Sequence, residues 1–184
     1  HVPLSEVTPI MRSRAKAVNF GIVYGISAFS LADDIKVSNA EAAQYIATYL
    51  EKYDGVRSYM ERVRKQAKEN GYVTTLFGRR RYLPELKSSN HNLRAFGERV
   101  ALNTPIQGTA ADIMKIAMVN VYARLRREGL RSRLILQIHD ELIVETALDE
   151  RETVAALLRE EMENAAHLSV RLTADVSSGR SWYE

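Results

Sequence analysis

Cysteine is absent from this chain of 184 residues, which rules out a disulfide framework and a thiolate metal site and fits a cytoplasmic protein. Long apolar runs are missing too. No stretch of about 18 apolar residues occurs and no signal-peptide pattern opens the chain, so neither membrane insertion nor secretion is expected. No internal repeat or low-complexity segment appears. Nor is there a large excess of one charge: 26 Lys and Arg against 23 Asp and Glu give a net +3, too little by itself to argue for nucleic acid. What is present is ordinary globular composition, 46% hydrophobic and 27% charged, enough for one sizeable core or two small lobes. The basic residues are grouped, as Arg12/Arg14/Lys16, Arg62/Arg64/Lys65/Lys68, Arg79/Arg80/Arg81 and Arg124/Arg126/Arg127, and such clustering says more than the total. The first residue is His1 rather than methionine, and the expectation is a piece of something longer.

The stretch that organises the rest is MRSRAKAVNFGIVYG, residues 11–25. Read as a helix, Arg12, Lys16, Phe20 and Tyr24 recur every four residues and share one face about 18 Å long. Two cations precede two aromatic rings, which suits a ligand with a polyanionic tail and a flat, stackable head. A nucleoside triphosphate is such a ligand, with Arg and Lys on the phosphates and Phe and Tyr at the sugar and base. An amphipathic helix with a solvated basic edge fits the same row. Met11, Ala15, Val18 and Ile22 form a second stripe able to face a core.

Before this helix, Thr8-Pro9 reads as an N-cap followed by proline at the first helical position. Ser27 caps a short helix, Ser38 with Glu41 forms a capping box for a helix over about 39–52, and another helix runs from after Asp54-Gly55 to Asn70-Gly71. YVTTLFGRRRYLP then reads as a hairpin with Gly78 and Arg79 near its tip. Its three arginines suit either a phosphate backbone or plain solvent. A helix follows from about Asn92, with Arg99, Asn103 and Gln107 again four apart. Pro105 either kinks this helix or starts a new one capped by Thr104. If it only kinks, the three side chains form a row of donors that can reach the acceptors of a DNA minor groove; capping and internal hydrogen bonding around Pro105 is the alternative. Gly129 ends the helix. In SRLILQIHDELIVETA, two apolar runs expected to be buried strands flank His139-Asp140-Glu141 at a tight antiparallel turn. That turn is either a simple polar hairpin or a carboxylate held at a strand end for Mg²⁺, a hard cation that takes oxygen ligands. A helix over about 149–166 comes next. The segment VRLTADVSSGRSWYE is expected to close with a strand and a tail docked by Trp182 and Tyr183.

Taken together, MRSRAKAVNFGIVYG, ERVALNTPIQGTAADIMK and QIHDEL, in this order and with YVTTLFGRRRYLPELKSSN between the first two, resemble family A DNA polymerases, the bacterial polymerase I group. The resemblance covers essentially the whole chain. It implies an α+β fold: a helical fingers subdomain over 1–90 and the C-terminal part of an antiparallel-sheet palm over 91–184, an incomplete right-hand polymerase. It implies that Arg12 and Lys16 bind the incoming triphosphate, with Lys16 donating a proton to the departing pyrophosphate. Phe20 would pack on the deoxyribose, and Tyr24 would stand near the templating base. Arg99, Asn103, Gln107 and His139 would contact the primer–template. Asp140 would bind the catalytic Mg²⁺ ions, two in number, with Glu141 in support. The implied reaction is addition of a dNTP to a primer 3′-hydroxyl in DNA replication and repair. The family's other metal-binding aspartate lies upstream of the finger helix, so this piece is expected to need the remaining palm and thumb, and to be inactive alone. Two other readings compete: a fragment of a single-subunit RNA polymerase, and a non-catalytic DNA-binding module. Phe20 and TPIQGTAAD favour the DNA enzyme over the former; the latter leaves Asp140-Glu141 and the ordered helix face without a use.

Overall fold

The computed structural model describes residues 2–182. Its elements are α1 (Pro9–Val23), α2 (Ala28–Ile35), α3 (Asn39–Lys52), α4 (Asp54–Asn70), β1 (Tyr72–Thr74), β2 (Arg80–Tyr82), α5 (His91–Arg127), β3 (Arg133–Ile138), β4 (Glu141–Glu145) and α6 (Arg151–Glu163), with three short 3-10 turns. The fold is α+β, mostly helical with two antiparallel two-stranded sheets. The chain forms two compact units divided after Ile106, a position inside α5.

In the first unit the helix starts follow local chemistry. Thr8 Oγ1 accepts from the Met11 N–H at 3.2 Å with Pro9 beginning α1. Ser27 caps α2, and Ser38 and Glu41 form a reciprocal capping box on α3. α4 starts at Asp54, ahead of the sequence expectation, placing an acidic group in the first turn where the helix dipole favours it. Leu31, Ala32 and Ile35 of α2 close on Ala42 of α3, with Ala17 and Val18 of α1 packed against them. A second cluster joins Met60, Val63 and Ala67 of α4 to Val73, Leu83, Leu86, Ala101 and Leu102. Of the apolar stripe expected on α1, Ile22 is buried and Val18 packs, but Met11 and Ala15 stay exposed. The packing partners α2 and α3 reach only the later turns of α1.

α5 continues through Pro105 without a break. Thr104 Oγ1 donates to the Val100 carbonyl at 2.8 Å instead of capping a new helix, so the alternative of two helices is set aside. Gly129, at φ 68°, ends the helix, and the Leu130 N–H returns to the Leu125 carbonyl at 3.0 Å.

In the second unit Val121 and Leu125 of α5 meet Val154, Leu157 and Leu158 of α6, with Leu134, Leu142 and Val144 of the sheet against them. Arg124 ties the two helices through Glu128, Glu160 and Glu161 at 2.8, 2.6 and 3.1 Å. The β3–β4 ladder shifts register between Leu134 and Leu136, and Ile135 and Leu136 are exposed at 58% and 47%. The expectation of two buried strands is therefore corrected: one sheet face packs on the helices, and the bulge turns part of β3 outward. Residues 171–179 form no strand. Their polar groups are taken by α6 side chains, Ala174 N–H donating to Glu163 and Arg159 to the Ala174 carbonyl, so no ladder develops. Trp182 is 63% exposed rather than docked; Tyr183 lies outside the described residues.

Glu150 clamps the loop before β3. It accepts the N–H groups of Arg131 and Ser132 at 2.9 and 3.0 Å and the Ser132 hydroxyl at 2.6 Å. The Arg131 and Ser132 bonds pull its carboxyl from 4.5 down to about 2. A carboxyl depressed on folding contributes stability that is present above its unfolded value and lost as pH falls through the folded one. Replacing Glu150 by Gln should lower the melting temperature at neutral pH, and the gap to the parent should close between about pH 4.5 and 2. Thermal melts of both proteins across that range check this.

Candidate functional site

α1 presents its ordered row to solvent. Arg12, Lys16 and Phe20 are exposed and Tyr24 is half-buried just past the helix end, its N–H bonded to the Phe20 carbonyl at 2.9 Å. Phe20 and Tyr24 stack with ring centroids 6.2 Å apart and planes 23° from parallel. The Lys16 ammonium stands 5.8 Å from the Phe20 ring centre. Cation, ring and ring are thus in contact in the order read from the sequence, with Arg12 one turn earlier. None of Arg12, Arg14 and Lys16 pairs with a carboxylate among the described residues. Other basic groups do: Lys68 meets Glu98 at 2.7 Å, Lys65 meets Glu69 at 3.9 Å, and Arg124 has the three partners above. The α1 cations are thus open to an outside anion.

What holds the row in place comes from behind and from its end. Asn19, next to Phe20, accepts a hydrogen bond of 2.6 Å from the Tyr49 hydroxyl of α3. A cavity of about 340 Å³ lies beside this bond, lined by Arg14, Val18, Ile35 and Tyr45 among others. At the end of α1, Gly25 takes φ 78° and lies so close to α5 that a Cβ there would stand 2.9 Å from Leu102 Cδ1 and 3.8 Å from Arg99 Cγ. The rings of α1 and Arg99 of α5 therefore belong to one neighbourhood. Neither Tyr49 nor Leu102 carries a local signal in the sequence, because both act through long-range contacts.

Arg99, Asn103 and Gln107 lie four apart on the unbroken α5, with Arg99 and Gln107 exposed and Asn103 half-buried. Asn103 Oδ1 is shut from solvent and accepts no hydrogen bond among the described residues, a costly state for an amide. Gln107 belongs to the second unit together with His139, Asp140 and Glu141.

The β3–β4 turn carries the carboxylate as expected. Ile138 pairs with Glu141 across a two-residue loop, His139-Asp140, and His139 takes φ 49° at its first position, a conformation such short hairpin loops favour. Gln137 Nε2 donates to the His139 carbonyl at 3.0 Å and braces the turn, a role the sequence did not disclose. His139, Asp140 and Glu141 are all exposed. The hard carboxylate oxygens of Asp140 and Glu141 suit one or two ligands of a Mg²⁺ ion. No group of three or more His, Asp or Glu able to hold a metal occurs among the described residues, so this donor set fits part of a metal site rather than a whole one.

Comparison with known proteins follows the same lines. The family model for DNA polymerase family A matches residues 1–184. DNA polymerase I of Caldicellulosiruptor bescii is 52% identical over 183 residues, 100% of this chain and 22% of its own length. DNA polymerase I of Bacillus subtilis is 53% identical over 184 residues, 100% of this chain and 21% of its own length. A solved structure, the POL domain of Pol1 from M. smegmatis in complex with DNA primer-template and dNTP, superposes with a TM-score of 0.93 at 50% identity. That match covers 98% of this chain and 32% of the other. The chain thus spans about a fifth of the length of the curated relatives.

Gly25 gives the first test of how the row is held. Gly25→Ala puts a side chain into left-handed backbone and against Leu102, and should cost about 1–3 kcal/mol. Gly55→Ala, in α4 with nothing within 4 Å of the added carbon, should be neutral or slightly stabilising. Denaturant unfolding of both variants checks the contrast, which an equal effect would refute.

Proposed function

The chain belongs to DNA polymerase family A, and from that premise we propose that it forms the nucleotide-gripping and part of the metal-binding portion of a DNA-templated DNA polymerase. Residues 1–90 act as fingers and 91–184 as the C-terminal part of the palm. The thumb and the upstream palm of the same polymerase complete the enzyme, which works with primer–template DNA and dNTP in replication and repair. The observation that carries this reading is the solvent-facing line Lys16–Phe20–Tyr24 with Arg12 before it.

Arg12 and Lys16 hold the triphosphate by charge-assisted hydrogen bonds. Phe20 lies on the deoxyribose and Tyr24 at the templating base, the aromatic faces giving area and shape without a fixed hydrogen-bond pattern. The primer 3′-hydroxyl attacks the α-phosphate and gives up its proton to water, the bond to pyrophosphate breaks, and Lys16 gives the leaving group a proton that it regains from solvent. Asp140, with Glu141 beside it, offers oxygen ligands to Mg²⁺. Two such ions, when bound, would stabilise the attacking and leaving oxygens, with a further carboxylate supplied from outside this chain. Arg99, Asn103, Gln107 and His139 reach the primer–template near its growing end. Donors four apart on α5 suit the minor-groove acceptors common to all base pairs, which report pairing shape more than sequence. The cysteine-free composition supports a place in the bacterial cytoplasm with the chromosome.

Two measurements on the complete polymerase carrying this segment test the reading. Asp140→Ala should lower primer extension by about a thousandfold or more while duplex affinity changes little, since the lost group serves the reaction and not the grip on DNA. Loss of duplex binding with extension intact would overturn the assignment. Phe20 offers the sugar no hydroxyl in place of a missing 3′-OH, so dideoxynucleotides should be poor substrates, and Phe20→Tyr should relax that discrimination by about tenfold or more. Competition between dNTP and ddNTP measures it; an unchanged ratio would move Phe20 away from the sugar.

A further inference from the structure

Register sorts the side chains of the β1–β2 hairpin onto two faces. Tyr72 stands opposite Tyr82 and Thr74 opposite Arg80, while Val73 pairs with Arg81. Residues in cross-strand pairs share a face and neighbours along a strand alternate. Val73 is buried in the core, so Tyr72, Thr74, Arg80 and Tyr82 share the opposite face. There Tyr72 and Tyr82 meet edge to face, with centroids 5.6 Å apart and planes at 61°. The Arg80 guanidinium lies 4.9 Å over the Tyr72 ring. Tyr82 is 67% exposed, and Phe77 at the hairpin tip is 47% exposed. Beside this face a cavity of about 210 Å³ runs between the hairpin and α4, with Tyr59, Arg62, Gln66 and Asn70 along its wall. Arg80 and Arg81 have no carboxylate partner among the described residues.

We propose that this face is a second nucleic-acid contact, separate from the α1 row, that takes the unpaired strand of the template. Unpaired bases stack on Tyr82 and Tyr72, Arg80 neutralises the backbone, and the amides of Gln66 and Asn70 meet the edge of a base entering the cavity. Rings reach the flat face of a base only where it is not already stacked inside a duplex, which selects single strand over double strand. Stabilisation of a short hairpin explains why Tyr72 and Tyr82 touch. It does not explain a tyrosine left two-thirds exposed on the same face as Arg80, a cation without a carboxylate partner among the described residues, and beside an open cavity. The inference rests on the polymerase reading for the identity of the strand.

The test uses the complete polymerase carrying this segment and two fluorescent DNA probes, a primer–template with a long 5′ oligothymidine overhang and the same duplex blunt-ended. Affinities are read by anisotropy over a salt series. Tyr82→Ala should weaken binding to the overhang probe about fivefold or more, with blunt duplex changed by less than about twofold. Tyr82→Phe should restore the overhang preference, because the ring and not the hydroxyl does the stacking. Arg80→Gln should lower the salt slope by about one on the overhang probe alone. Equal losses on both probes, or none on the overhang, in variants that melt like the parent would overturn the proposal. Arg80→Gln alters an exposed side chain and keeps the question answerable if Tyr82→Ala fails to fold. Failure of the parent to extend the primer would instead count against the polymerase reading.

Discussion

The close approach of Gly25 to Leu102 is the constraint on which the first unit turns. A helix that must offer one face to a ligand cannot be gripped on that face, so its position has to be fixed from its back and its end. The end is fixed by left-handed backbone pressed against α5, within reach of Arg99. The back is fixed by the Tyr49–Asn19 hydrogen bond and by Ala17 and Val18 on the α2–α3 cluster. The early turns of α1 have no such support, and Met11 and Ala15 are exposed there. The cations proposed to bind phosphate therefore sit on the least restrained part of the helix and the rings on the most restrained. That division matches the chemistry. A triphosphate is held by charge, which tolerates small displacements, whereas sugar and base discrimination depends on shape and needs the rings in fixed places.

The second unit solves a different problem, the placement of one carboxylate. Asp140 sits in a two-residue loop between paired strands, which leaves few backbone conformations open to it. Gln137 fixes the neighbouring peptide through the His139 carbonyl. The sheet itself is anchored by Leu134, Leu142 and Val144 on α5 and α6, and those helices by the four-residue ion network around Arg124. In the metal-binding role proposed for Asp140, the carboxylate must be held to a fraction of an ångström to be useful. Support of the turn by side chains that never touch the metal is the expected way to do that.

Much of this was legible in the sequence because it was local. Thr8-Pro9, Ser27 and the Ser38–Glu41 box each act over three or four residues, and each starts a helix where it was read. The α1 row and the His139-Asp140 turn were legible for the same reason, and the family match to residues 1–184 sets aside an RNA polymerase origin. The failures share a cause as well. Whether Pro105 ends a helix depends on what replaces the lost hydrogen bond, which spacing cannot say. The apolar residues Ile135, Leu136, Met11 and Ala15 look like core until the partner surfaces are known. The extended segment 171–179 resembles a strand in composition, but its backbone is used by Glu163 and Arg159. Tyr49, Leu102 and Gln137 escaped notice because each acts through a contact or a brace that no motif spells out.

Exposed rings and unpaired cations are where the chain departs from the pattern that stability alone would select. Among the described residues the buried apolar side chains form modest clusters, which leaves little margin for apolar surface in water. Burying Phe20 or Tyr82 would be the simple way to add stability, and pairing Arg12 or Lys16 with a nearby glutamate would cost little in design terms. Neither is done, although such pairing is used freely at Arg124, Arg131 and Lys68. Lys68 and Arg124 are paired across elements, whereas Lys16 and Arg80 have no carboxylate partner among the described residues and lie beside rings. That partition is hard to obtain from packing alone. It follows directly if the rings and free cations are reserved for a polyanion carrying flat, stackable bases.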